Sequence, residues 1–155
     1  MEKINYCVER TALGFIVIAE SQRGVCYLHL SDSPEELEED LFYQFPHAKK
    51  GQCRYLAQVK KWIIKPFDHA IPLDIRGTTF RKKVWQEVMN IPIGKSISYS
   101  ELAEKVGAPK AFRAAASACT HTPIAFLIPC HRVHAKDGSF RCGPIGEKLF
   151  KKEHL

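Results

Sequence analysis

Apolar and polar residues follow two different periods along this chain. Near the N-terminus LGFIVIAES, residues 13–21, is dense in β-branched and aromatic residues and ends at SQRG. VCYLHL follows, with Val25, Tyr27 and His29 on one face and Cys26, Leu28 and Leu30 on the other. A period of two on either side of a turn predicts a β-hairpin. SPEELEEDLFYQF predicts a helix. Ser33 and Glu36 have capping-box spacing, Pro34 falls at the first helical position, and Leu37, Leu41 and Phe45 line one face. CRYLAQVKKWIIKP predicts a second helix stopped by Pro66, and IPLDIRGT predicts a short strand and turn. A boundary is expected near Gly77, between a small α/β subdomain (1–76) and a helical one (77–155).

Beyond Gly77 the period lengthens. TTFRKKVWQEVMNIP carries Phe80, Val84 and Val88 four apart and stops before Pro92 and Gly94. SYSELAEKVG opens on a second capping box, Ser98 and Glu101, and closes at Gly107. After GAPK comes AFRAAASACT, a helix of mostly small residues; IAFLIP reads as extended, and EKLFKKEHL as a short closing helix. Two short helices joined by GAPK match either a helix-turn-helix or a plain helical hairpin, and spacing does not separate the two. The small residues of the second helix let its backbone approach a nucleic-acid groove closely. A lone Arg113 there can hold a phosphate, read a base edge or wedge into the stack.

Composition narrows this picture. A chain of 155 residues holds one domain, or one with a small appendage, and can bury a core without staples. No apolar run approaches membrane-span length, and MEKINYCVERT lacks a signal-peptide layout. The expected compartment is the cytosol, or the nucleus of a eukaryotic cell. The six cysteines are then expected as thiols, with Cys7, Cys26 and Cys53 acting as small core hydrophobes. Cys26 and His29 lie three apart with no second pair at ligand spacing, so no metal is expected. The net charge is +6, and the basic residues concentrate in the second half, away from the early PEELEED cluster. The C-terminal half is therefore the part suited to phosphates.

AFLIPCHRVHAKDG concentrates the chemistry: Cys130, His131 and Arg132 stand side by side. Neighbouring cations lower a thiol pKa. Adjacent residues of a strand point to opposite faces, so His131 reaches Cys130 only if the backbone turns, which Pro129 favours. A carboxylate to orient the histidine is expected on the last helix, at Glu147 or Glu153.

IPCHRV, with VWQEVMNIPIGKSISYSELAEKVGAPKAFRAAASAC upstream, strongly resembles the O6-alkylguanine-DNA alkyltransferases. YCVERTALGFIVIAESQRGVCYLHL and QFPHA are similar to the alkyltransferase half of the bacterial adaptive-response proteins, so the resemblance covers nearly the whole chain. It implies an α/β protein, with a small ribonuclease-H-like N-terminal subdomain and a helical C-terminal subdomain containing a winged-helix-like helix-turn-helix. It implies stoichiometric, irreversible transfer of the alkyl group from O6-alkylguanine, and from O4-alkylthymine, to Cys130. The partner would be double-stranded DNA bound through the minor groove with the lesion flipped out, by a monomer with no cofactor, metal or membrane. By the same resemblance His131 deprotonates Cys130 through a water, and Glu153, with Glu147 as the fallback, orients it. Tyr99 protonates the departing guanine, and Arg113 fills the stack. Ala114, Thr79 and Arg132 meet DNA, while Cys119, Val133 and Ser139 line the pocket.

Two departures stand out. Thr122, in CTHTP, occupies the place of the family's usual hinge asparagine. FRCGPIGEK is shorter than the family's loop and lacks its tyrosine, and Cys142 is expected near Cys130. The alternative is an alkyltransferase-like lesion sensor, a class in which the acceptor cysteine is normally replaced. A cysteine hydrolase would need oxyanion donors, and no Gly-rich nucleophile turn precedes Cys130.

Overall fold

β1 (Asn5–Thr11), β2 (Gly14–Glu20) and β3 (Val25–Ser31) form an antiparallel meander, paired from Asn5↔Glu20 to Thr11↔Gly14 and from Phe15↔Ser31 to Glu20↔Val25. The two-residue β4 (Lys49–Lys50) joins parallel to β1, giving the order β3-β2-β1-β4. This computed structural model describes residues 2–139 and 143–153. The chain divides into two compact units, Met1–Arg76 and Gly77–Leu155.

The β2–β3 hairpin is the one the alternating pattern predicts. β1 is not, because NYCVERT places Glu9 and Arg10 in the run and leaves most of its residues only half buried. α1 (Pro34–Gln44) lays Leu37 and Leu41 over Tyr6, Val17, Ala19 and Cys26. Ser33 caps it by accepting the Glu36 amide at 3.3 Å, but the box is half made: the Ser33 amide donates to Ser31 Oγ. α2 (Leu56–Ile64) buries Val59, Trp62 and Ile63. IPLDIRGT forms no strand. It makes a single bridge, Val25↔Leu73, with Val25 N–H donating to Pro72 O and Asp74 N–H to Val25 O. Pro72 has no amide to continue a ladder. Gly24 (φ +147) permits the contact, since a Cβ there would collide with the Pro72 carbonyl.

The second unit contains α3 (Thr79–Met89), β5 (Ile97–Ser98), α4 (Tyr99–Lys105), α5 (Phe112–Thr120), β6 (Val133–His134) and α6 (Gly143–Glu153). Buried Trp85 on α3 donates its indole N–H to Ala118 O at 2.9 Å, and the small side chains of α5 leave room for that approach. Ser98 and Glu101 form the full capping box of α4. Its end is a Schellman motif: Gly107 (φ +79) donates to Glu104 O, and Ala108 donates to Ala103 O. IAFLIP is a tight buried turn rather than an extended segment, with Phe126 at φ +50 and Leu127 N–H donating to Ala125 O. A short run buried on every side carries no period from which to tell strand from turn. α6 begins at Gly143, four residues before the helix start that the sequence suggests.

Candidate active site

The turn that Pro129 was expected to favour is present. Cys130–Arg132 form one turn of 3₁₀ helix, in which Cys130 N–H donates to Ile128 O and Arg132 N–H to Pro129 O. This breaks the strand-like alternation that would send Cys130 and His131 to opposite faces. All three side chains are buried, with Cys130 3%, His131 2% and Arg132 6% exposed.

The final turn of α6 delivers a carboxylate to them. His131 Nε2 and Glu153 Oε1 are 2.8 Å apart. Arg132 Nε donates to Oε1 and Oε2 of Glu153 at 3.1 and 2.9 Å, and Nη2 donates to Oε1 at 2.6 Å. Arg132 Nη1 donates to Ile91 O at 2.7 Å, which anchors the cluster to the end of α3. The Glu153 side chain is fully buried. Burial alone would raise its pKa, but hydrogen bonds and charge from His131 and Arg132 outweigh that and hold it at about 2. Burial lowers the proton affinity of His131 more than Glu153 raises it, and Arg132 lowers it further. At neutral pH the pair is therefore a carboxylate and a neutral imidazole. Nε2 carries the proton given to Glu153, which leaves Nδ1 as the basic nitrogen.

Tyr99 approaches through strand pairing. β5 runs parallel to β6, with Ile97↔Val133 and Ser98↔His134, so the first residue of α4 follows directly from the strand beside the 3₁₀ turn. Tyr99 is buried, as are Val133 and Cys119. On α5 the buried residues Ala115, Ala118 and Cys119 face inward, while Arg113 and Ala114 are exposed. Thr79 is exposed in the first turn of α3, with Thr78 as the cap. Ser139 is exposed, and its amide and hydroxyl both donate to Asp137. Among the described residues, the hydrogen bonds of Thr122 Oγ1 are local, both at 3.4 Å to the Ile124 backbone.

Arg132, expected against DNA, is buried with its guanidinium committed to Glu153 and Ile91, where it offsets the charge of the deep carboxylate. Sequence reasoning missed this second clamp; an arginine next to His131 and a last-helix glutamate were the available signal. The Glu147 side chain and Cys142 lie outside the described residues, as do Phe140 and Arg141 of the shortened loop. Among the described residues no group of three or more His, Cys, Asp or Glu is placed to hold a metal ion, and no helix is long and apolar enough to cross a membrane.

Residues 79–155 match the family model for the 6-O-methylguanine DNA methyltransferase DNA-binding domain. The chain is 39% identical over 142 residues to the Escherichia coli bifunctional transcriptional activator/DNA repair enzyme Ada, covering 88% of this chain and 40% of Ada. It therefore spans well under half of that relative. It is 34% identical over 158 residues to the constitutive methylated-DNA–protein-cysteine methyltransferase of Bacillus subtilis, covering 97% of this chain and 92% of the relative. Among solved structures, that of Mycobacterium tuberculosis OGT in complex with DNA superposes with a TM-score of 0.82 at 25% identity, covering 97% of this chain and 92% of the other.

Proposed function

The chain belongs to the 6-O-methylguanine DNA methyltransferase family, and from that premise we propose that it repairs DNA by direct reversal, moving the alkyl group of O6-alkylguanine, and of O4-alkylthymine, onto its own Cys130. The observation that carries this reading is the buried Cys130–His131–Glu153 arrangement, in which a neutral imidazole, held by a carboxylate, follows a thiol on one tight turn.

The chemistry suits these groups. His131 Nδ1 takes the Cys130 proton through a bridging water, and Glu153 stabilises the imidazolium that results. The thiolate attacks the sp³ alkyl carbon in line. An S–C bond forms, the C–O bond to guanine breaks, and its electron pair stays with the base. Tyr99 supplies a proton to the leaving guanine and regains one from the His131 imidazolium through water, so the proton taken from Cys130 ends on the base and His131 returns to its neutral form. Water does not cleave the thioether product, so each molecule acts once. Displacement at a saturated carbon develops no tetrahedral oxyanion and needs no oxyanion hole.

A base inside a duplex cannot reach a buried thiol, so the lesion is extruded. The outward face of α5, carrying Arg113 and Ala114, is the part we assign to the minor groove, as the second helix of a helix-turn-helix, with Thr79 touching the backbone. Arg113 takes the place of the flipped base. Cys119, Val133 and Ser139 border the base pocket. We place the protein in the cytosol, where thiols stay reduced, acting as a monomer.

The test is intact-protein mass after mixing with a duplex carrying one O6-methylguanine. The expected result is one added methyl, mapped to Cys130 and lost in Cys130→Ala, which keeps lesion binding. A methyl on another thiol would overturn the acceptor assignment. Tight lesion binding with no added methyl would make the protein a lesion sensor instead.

A further inference from the structure

Phe112 is the outward residue of α5 that alkyl transfer leaves without a task. The other exposed residues of that helix are Arg113, Ala114 and Thr120, which are small or polar. The Phe112 ring is 44% exposed at the first position of the helix. A single exposed aromatic needs no explanation by itself. Here, though, the Arg113 guanidinium carbon lies 5.9 Å from the ring centroid, over its face. That is cation–π range, and a planar guanidinium stacks well on an aromatic face. No carboxylate pairs with Arg113 among the described residues, so the ring is the partner that restricts this long side chain.

We infer that Phe112 is a positioning residue for Arg113, holding it aimed outward for entry into the base stack and itself packing against the minor groove beside it. This rests on the reading of α5 as the DNA-facing helix and goes beyond it. Apolar side chains of minor-groove binders wedge at base steps, and a ring can do so at any sequence because every base offers a π face. Lesion repair needs that tolerance, since damage is not confined to one sequence. Arginine alone would reach the same gap from many rotamers. With the ring beneath it, fewer rotamers are lost on insertion.

The experiment compares Phe112→Ala, Phe112→Leu and Phe112→Tyr with the unaltered protein on two substrates. One is a duplex with a single O6-methylguanine and a neighbouring 2-aminopurine, whose fluorescence reports stack opening; the other is free O6-benzylguanine, which needs no flipping. Phe112→Ala is expected to slow duplex transfer and stack opening at least about five-fold more than reaction with the free base, with Leu equally poor and Tyr close to the unaltered protein. In the Phe112→Ala/Arg113→Ala double variant the duplex loss is expected to be clearly less than the product of the two single losses, since both act through one insertion. Equal slowing on both substrates, full duplex activity in Phe112→Leu, or multiplicative single losses would each overturn the positioning role. An unaltered protein that methylates no thiol on the lesion duplex would instead overturn the parent reading, and this one with it.

Discussion

Glu20 and Glu153 are both buried glutamates contacted by an arginine, one in each unit. Glu20, at the end of β2, accepts the Arg54 and Tyr55 amides at 2.8 and 2.9 Å, with Arg54 Nε at 3.3 Å. Its arginine side chain is half exposed. Its partners are mostly backbone, and they fasten the start of α2 to the sheet. Glu153 instead faces side chains that are themselves buried, one of them an imidazole that follows a thiol. Backbone amides cannot change protonation state, whereas an imidazole can. The first arrangement suits architecture and the second suits proton transfer.

The largest effect expected from this difference is on rate. Glu153→Gln should slow alkyl transfer by about a hundred-fold to a thousand-fold per folded molecule. It should also move the acid limb of the pH–rate profile to lower pH, because Glu153 raises the proton affinity of His131. Glu20→Gln should leave both unchanged and cost about 1 to 3 kcal/mol in denaturant titration. Equal slowing by the two variants would erase the distinction between the carboxylates.

A smaller effect concerns stability in acid. The folded protein binds a proton at His131 less readily than the 6.5 of an ordinary imidazole, so stability begins to fall as pH drops below that value. Glu153 titrates at about 2 in the fold against 4.5 for an ordinary glutamate. Its contribution is complete above about 4.5 and is lost as pH falls toward 2, on the order of 2 to 3 kcal/mol. Denaturant midpoints measured from pH 7 to pH 3 should show this decline, and Glu153→Gln should flatten its lower part. A flat profile in the unaltered protein would contradict the buried ion cluster.

The smallest effect separates two helix starts, one in each unit. Ser98→Ala removes the cap of a complete box and should cost about 1 kcal/mol, while Ser33→Ala removes the exposed half-made one and should cost about half as much. Thermal midpoints of the two variants give the order directly, and the reverse order would show that burial around Ser98 does not strengthen its cap.

Elements that signal themselves locally were readable from the sequence. Pro34 after Ser33, the Ser98–Glu101 box and Gly107 each mark a helix end by backbone chemistry that acts within a few residues, and the structure puts helix ends there. β1 was not readable, because Glu9 and Arg10 blur its alternation and its place comes from pairing with β2. Nor was the turn at Phe126, where packing from every side replaces any period. At the site, the thiol and imidazole stand out as neighbours in the chain. Glu153 lies 22 residues from His131, and only the packing of α6 brings it there. Arg132 looked like a surface cation because charge is usually solvated, and a distant carboxylate decided otherwise.

Glu153 occupies the last residue of α6, the part of a helix that opens most readily as temperature rises. Three side-chain hydrogen bonds from Arg132 and one with His131 hold that final turn down, so the residues to which we assign the tuning of the chemistry also act as its clasp. Warming then has a graded consequence. Lifting of the final turn would strip His131 of its carboxylate while both cores stayed folded, so alkyl transfer is expected to fall at a lower temperature than the melting midpoint, a gap that activity and thermal-melting curves on one sample would show.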